Sequence, residues 1–223
     1  MIKIAPSTNP EKEEDLVQYV KLLEESGADY MHCDVMDGSF VPAKCLSSEK
    51  LFEVSQNSTI ALDVHLMVSN PLQIWEEYYK SKPTILTVHY ESFESKNNLF
   101  YMLSQIKNKG ILAGISFKPD TKIEEIEPFL PLCDLVLVMS VEPGKSGQKF
   151  IENSLVKIAE LNGIRLQNKY NFLIEVDGGV DHTNVQKIYQ AGADIVVMGS
   201  AVYKAENKKV FINKIKHLVT NSK

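Results

Sequence analysis

Three short apolar segments of the 223-residue sequence carry ionisable side chains two positions apart. They are His32 and Asp34 in Met31-His32-Cys33-Asp34-Val35-Met36, Asp63 and His65 in Leu62-Asp63-Val64-His65-Leu66-Met67, and Glu175 and Asp177 in Glu175-Val176-Asp177-Gly178-Gly179. Residues two apart on a strand point the same way, so His32, Asp34 and Met36 share one face and Cys33 and Val35 the other. Burying an imidazole beside a carboxylate is costly unless the two are hydrogen-bonded, hold a metal or move protons. For any one pair, a core histidine satisfied by its carboxylate is an equal alternative, so the decision rests on where the other polar residues fall.

Those side chains need elements that bring them together. Short β-rich runs alternate with helix-length amphipathic runs along the whole chain. The strands are expected at Ile2–Pro6, Asp29–Val35, Thr59–Leu66, Thr84–His89, Ile111–Phe117, Asp134–Ser140, Phe172–Asp177 and Asp194–Met198. Helices are expected at Glu11–Ser26, near Ser47–Gln56, from Asn70-Pro71, and over Leu99–Lys109, Ile123–Leu130, Phe150–Gln167, Asn184–Ala191 and about Lys208–Val219. Gly27 and Gly110 stand where helices end, and Pro71 where one begins. Eight strand–helix units without a Pro/Gly/Ser-rich linker predict an α/β fold, a single (β/α)8 TIM barrel over residues 1–223. The runner-up is an open doubly wound sheet, which more often has five or six strands.

Barrel enzymes place their chemistry at the C-terminal ends of the strands. His32, Asp34 and Met36 end the second strand, His65 and Met67 the third, Met139 the sixth, and Glu175 and Asp177 the seventh, with Ser7 just past the first. Convergence of His32, Asp34, His65 and Asp177 is not what packing alone produces, and it suits a zinc, iron, manganese or cobalt ion. Asp63 either orients a ligand or is a buried residue with its own hydrogen bonds, the second being slightly favoured. Gly144-Lys145-Ser146-Gly147, Gly178-Gly179 and Gly199-Ser200 follow the sixth, seventh and eighth strands and are suited to an anion held by backbone amides. Pro143-Gly144-Lys145-Ser146-Gly147 lacks the spacing of a P-loop.

Composition excludes other classes. A net charge of −5 with no basic stripe argues against nucleic-acid binding. Three cysteines without zinc-finger spacing point to reduced thiols. No stretch reaches the length of a membrane span and the N-terminus lacks a signal-peptide run, so a cytoplasmic protein is expected.

Six segments together closely resemble the ribulose-phosphate 3-epimerase family. They are His32-Cys33-Asp34-Val35-Met36-Asp37-Gly38-Ser39-Phe40-Val41-Pro42, Leu62-Asp63-Val64-His65-Leu66-Met67-Val68, Val138-Met139-Ser140-Val141-Glu142-Pro143-Gly144, Gly147-Gln148-Lys149-Phe150, Glu175-Val176-Asp177-Gly178-Gly179, and Ala191-Gly192-Ala193-Asp194 with Gly199-Ser200. The resemblance implies a metal-dependent barrel that interconverts ribulose 5-phosphate and xylulose 5-phosphate, a pentose phosphate pathway reaction. It implies His32, Asp34, His65 and Asp177 as ligands of one divalent ion, zinc ahead of iron, manganese or cobalt. It makes Asp34 and Asp177 the acid/base pair, Ser7 and His65 substrate contacts, and Gly144, Lys145, Ser146, Gly147, Gly178, Gly179, Gly199 and Ser200 the surroundings of the phosphate. Met36, Met67 and Met139 are expected either to pack over the planar intermediate or simply to fill the top of the barrel. The family commonly forms homo-oligomers, so a sugar-phosphate substrate and a second copy of the chain are the expected partners.

Ser39, Ala43 and the Gly144-Lys145-Ser146-Gly147 loop depart from the family pattern of a histidine, an asparagine and Gly-Phe-Gly-Gly. The rival activities are 3-epimerisation of a hexulose phosphate such as allulose 6-phosphate, and non-catalytic sugar-phosphate binding. A lyase or decarboxylase is disfavoured because no lysine stands among these strand-end residues. His89 ends the fourth strand and is expected to be structural as readily as it reaches the pocket. His182 and His217 are expected on the surface, and Trp75 against the barrel.

Overall fold

A computed structural model describes residues 2–220. The strands are β1 (Lys3–Pro6), β2 (Tyr30–Asp37), β3 (Lys44–Cys45), β4 (Ala61–Met67), β5 (Ile85–His89), β6 (Leu112–Phe117), β7 (Leu135–Met139), β8 (Leu173–Asp177) and β9 (Ile195–Met198). The helices are α1 (Leu16–Glu25), α2 (Ser48–Asn57), α3 (Pro71–Tyr79), α4 (Lys96–Asn108), α5 (Ile123–Ile126), α6 (Ser154–Asn168), α7 (Val185–Ala191), α8 (Ser200–Tyr203) and α9 (Lys208–Thr220). Local chemistry sets several of these ends. Ser47 caps α2 by accepting the Lys50 N–H at 3.3 Å, and Pro71 supplies the first residue of α3.

The sheet order is β1-β9-β8-β7-β6-β5-β4-β2-β3, and every pairing is parallel except the short β2–β3 contact. The two edges meet. Ser7 makes a parallel bridge to His32, the Thr8 N–H donates to the His32 carbonyl at 2.9 Å, and the Asp29 N–H donates to the Ile4 carbonyl at 2.9 Å. This closes an eight-stranded parallel barrel and removes the open-sheet alternative.

Alternation along the strands then sorts the side chains. Met31, Cys33, Val35, Val64, Leu66, Val136, Val138, Ile174 and Val176 face outward into the layer between strands and helices. Ala5, Ile85, Leu135, Leu137, Ile195 and Val197 pack inside. Most of the central inward positions on β2, β4, β5 and β8 are polar: His32, Asp34, Asp63, His65, Thr87, His89 and Glu175 are all buried. Among the described residues, no helix is long and apolar enough to cross a membrane.

Several ends differ from the sequence expectation, α1 among them, which starts at Leu16 instead of Glu11 after a 3-10 turn over Glu13–Asp15. β2 continues to Asp37 because Met36 and Asp37 pair with Cys45 and Lys44 of β3. α6 starts at Ser154 instead of Phe150, because the Ile151 N–H is bound to the Ser140 carbonyl at 2.9 Å and holds that segment on the end of β7. The four-residue α8 after β9 has too few residues to leave a periodic pattern. Trp75 is buried against the barrel, as expected.

Leu137 is fully buried inside the barrel. Leu137→Ala is expected to cost about 2–5 kcal/mol in urea unfolding, whereas Val156→Ala, at a position 61% exposed on α6, should stay within about 0.5 kcal/mol.

Candidate active site at the mouth of the barrel

The inward faces of β2, β4 and β8 bring the expected residues together. His32 Nδ1 lies 2.5 Å from Asp63 Oδ2, its direct neighbour across the β2–β4 pairing. The other nitrogen, His32 Nε2, stands 3.4 Å from Asp34 Oδ1 and 4.0 Å from Asp177 Oδ2. His65 Nδ1 is 3.5 Å from the same Asp34 oxygen. One donor atom each from His32, Asp34, His65 and Asp177 lies within 4.8 Å of the others.

This set fits a divalent cation. His32 Nε2 and His65 Nδ1 are buried without a hydrogen-bond partner, and polar nitrogens in that situation are costly unless something binds them. Donors about 2.1 Å from one ion at tetrahedral angles stand about 3.4 Å apart, close to the observed nitrogen–oxygen separations. Two imidazoles and two carboxylates suit zinc and its transition-metal neighbours.

Electrostatics separates the two carboxylates. Burial raises the Asp34 carboxyl, but His32 and His65 outweigh it and hold the group far below the usual range. Burial and then the charge of Asp34 push Asp177 up to about 7. Glu175, deeper on the same face as Asp177, is raised well above its ordinary value by burial and by Asp63. Burial disfavours charge on His32, yet Asp63 and Asp34 outweigh it and raise that imidazole well above its ordinary value.

Above this cluster opens a cleft lined by Ser7, Asp34, Met36, Met67, Met139 and Asp177, with Gly144, Lys145, Ser146, Gly147, Gly178, Gly179, Gly199 and Ser200 at its far end. His32 and His65 lie beneath its floor, fully buried, so His65 does not line the cleft. Ser7 Oγ donates to Asp34 Oδ2 at 2.5 Å. Ser140 Oγ donates to the carbonyls of Asp177 and Gly178 at 2.9 and 2.7 Å, which fixes the turn after β8. There the backbone demands glycine. Gly178 has φ +123°, and a Cβ on it would stand 2.5 Å from Val141 Cγ2. The Gln148 amide donates to the carbonyls of Glu142 and Lys145 at 2.6 and 2.8 Å, folding Gly144–Gly147 into a compact turn that carries Lys145 and Ser146 exposed.

Residues 3–203 match the Ribulose-phosphate 3 epimerase family. The chain belongs to that family. It is 40% identical over 189 residues to ribulose-phosphate 3-epimerase of Chlamydia pneumoniae, covering 84% of this chain and 81% of that one. It is 38% identical over 218 residues to the Helicobacter pylori protein of the same name, covering 97% and 98%. A solved phosphoribosylanthranilate isomerase from Thermotoga maritima superposes with a TM-score of 0.65 at 16% identity, over 97% of this chain and 100% of that one. That likeness concerns the fold alone. As a member of the epimerase family the chain is an enzyme.

Two features of this epimerase-family site were left open by the sequence. Asp63 is no bystander with bonds of its own, because it binds the nitrogen of His32 that faces away from Asp34. His89 enters the site through His65, Nε2 to Nε2 at 3.0 Å, and its Nδ1 meets Glu91 Oε2 at 3.1 Å. The parity of β5 was the available signal, since His89 closes that strand on the face of Ile85 and Thr87. Of the departures from the family pattern, Ser39 sits in a turn held by its N–H to Asp37 Oδ1 at 2.8 Å, and Ala43 packs beside Met36, Val41 and Met67.

The raised Asp177 and His32 give the metal-free protein a signature. Both groups bind protons more tightly folded than unfolded, so their contribution to stability is present at low pH and lost as pH rises. For Asp177 the loss runs from about pH 4 to about pH 7. The depressed imidazoles of His65 and His89 act in the opposite sense over the same range, so the readout is a difference between proteins: the Tm of chelator-stripped wild type relative to Asp177→Asn should fall by several degrees across that window, and a difference that rises with pH would contradict the arrangement.

Proposed function

We propose that this enzyme inverts C3 of a ketose phosphate, interconverting D-ribulose 5-phosphate and D-xylulose 5-phosphate by two-base proton transfer. The observation that carries the proposal is the pair Asp34 and Asp177, brought into one cluster from the ends of β2 and β8, with the first carboxyl held down and the second pushed up.

Inversion requires removing a proton from one face of a weakly acidic C–H and delivering another to the opposite face. Ionised Asp34, oriented by the Ser7 hydroxyl, is placed to take the C3 proton. Protonated Asp177 delivers its own to the other face of the planar enediolate. Reaction in the opposite direction exchanges the two roles, as a reversible epimerisation needs. A divalent ion, zinc ahead of iron, manganese or cobalt, held by His32 Nε2, Asp34, His65 Nδ1 and Asp177, would supply Lewis-acid stabilisation of charge developing on the sugar oxygens. Met36, Met67 and Met139 close the cleft around the reacting carbon with polarizable, water-excluding side chains. The glycine turns after β7, β8 and β9 face the far end of the same cleft and suit the phosphate.

The Lys145-Ser146 substitution sits at that phosphate end, which keeps a six-carbon ketose phosphate as the rival substrate. The ratio of kcat/KM for ribulose 5-phosphate and allulose 6-phosphate distinguishes them, with the pentulose expected to win by tenfold or more, on the order of one pocket mismatch.

Asp177→Asn should keep the fold and lower kcat by at least about a hundredfold, measured by coupled assay; unchanged turnover would remove Asp177 from the chemistry. In D2O the product should carry deuterium at C3, and chelation should abolish turnover until zinc or another divalent ion is returned. Product without label, or full activity in metal-free protein, would each overturn the corresponding step.

A further inference from the structure

Beyond His65 the inward face of the barrel continues into groups that neither touch the cleft nor belong to the ligand set. His65 Nε2 meets His89 Nε2 at 3.0 Å, and His89 Nδ1 meets Glu91 Oε2 at 3.1 Å. The ring centroids of the two histidines are 4.9 Å apart with planes 25° from parallel. The rings are offset so that the two Nε2 atoms stand 3.0 Å apart, within the range of an N–H···N bond. Glu91 Oε1 accepts the Lys118 backbone N–H at 2.7 Å and the Thr121 hydroxyl. The loop carrying both donors is itself pinned, because Lys157 Nζ donates to the carbonyls of Pro119 and Thr121. Phe40 covers His89 with its centroid 4.8 Å away, and Lys118 Nζ lies 4.6 Å over Phe40.

Proton positions along this chain follow from its outer end. Glu91 takes two donors on Oε1 and is an acceptor only, so the atom facing Oε2 must be a donor. That puts a hydrogen on His89 Nδ1. A neutral imidazole with its hydrogen on Nδ1 has an accepting lone pair on Nε2. His65 must then donate from Nε2, which leaves the lone pair on Nδ1, the buried nitrogen without a partner 3.5 Å from Asp34. Each inference uses one contact and none assumes a metal.

We propose that Glu91 and His89 are positioning residues that lock His65 in the Nε2–H tautomer and aim its Nδ1 lone pair into the cluster of His32, Asp34 and Asp177. The partly buried carboxylate of Glu91 also polarises His89, making it a stronger acceptor and His65 a more basic ligand. On the opposite side Asp63 does the same for His32 directly, so the two imidazoles are oriented by arms of different length. This assignment rests on the metal-site reading above, but its readouts are tautomer and metal affinity, so an error about the sugar substrate leaves it intact.

The test uses full-length protein labelled with 15N-histidine. In chelator-stripped wild type, the His65 resonances should show a protonated Nε2 and an unprotonated Nδ1. Zinc affinity is then measured by competition with a chromophoric chelator. His89→Leu keeps bulk but offers no acceptor, and should weaken zinc binding by about 10–100-fold. His89→Gln supplies an amide oxygen toward Nε2 and should recover most of that loss, which a purely space-filling role would not produce. Thr121→Val, which removes one donor to Glu91 and leaves His89 in place, should give a smaller loss in the same direction. Protonated Nδ1 in the wild type overturns the proposal, as does zinc affinity in His89→Leu equal to wild type. The wild-type spectrum decides the tautomer even if a variant does not fold.

Discussion

The hydrogen bond between His32 and Asp63 is the contact on which the site's arrangement turns. These residues are direct partners in the β2–β4 register, so the bond exists only while that register holds. A slip of β2 by one residue would carry His32 and Asp34 to the outer face and bring Cys33 and Val35 inward, and a slip of β4 would do the same to Asp63 and His65. The outer layer of aliphatic side chains against the helices therefore fixes the chemistry indirectly. It penalises every register that would put these ionisable groups among those aliphatics. With Nδ1 engaged by Asp63, His32 has one nitrogen left, and the strand's pleat directs it to Asp34 and Asp177.

The same geometry explains why two aspartates at one mouth behave differently. Asp34 lies beside the proton-holding His32 and accepts the Ser7 hydroxyl, two interactions that favour its charged form. Asp177 has no such donors and faces the charge of Asp34, which favours its neutral form. Opposite environments for two like groups are what acid/base work through a planar intermediate requires. No unusual residue type is needed; the difference lies in which neighbours each strand end delivers.

Much of this could be seen in the sequence because strands with a two-residue period expose their parity. The runs around Asp34, His65 and Asp177 show which side chains travel together, and the apolar runs show that both faces are covered. The ends of strands and the turns that follow are likewise visible through Gly178-Gly179 and Gly199-Ser200. Pairing is what sequence cannot display. Whether Asp63 faces His32 depends on the β2–β4 register, and whether His89 reaches His65 depends on β4 lying beside β5 with Thr87 opposite His65. Glu91 was hidden for a further reason. It lies past β5 in a 3-10 turn, where neither strand nor helix periodicity applies, and its partners Lys118 and Thr121 come from the next loop.

The distribution of unsatisfied polar atoms shows how the barrel carries this site. Among the described residues, the buried side-chain atoms without a hydrogen-bond partner belong to His32, Asp63, His65, Thr87, Ser116 and Glu175, with Tyr19 the one member outside the barrel's interior. They occupy inward positions of β2, β4, β5, β6 and β8, while β7 and β9 present Leu135, Leu137, Ile195 and Val197. One side of the interior is thus a dry apolar wall and the other a polar wall that is under-bonded as it stands. An apolar wall lowers the local dielectric and strengthens every charge interaction opposite it. It also makes the unpartnered nitrogens of His32 and His65 expensive, so a ligand that binds them would stabilise the folded chain. A cation bound there would relieve a cost that the solvated rim does not carry, because exposed polar atoms on the rim are already satisfied by water.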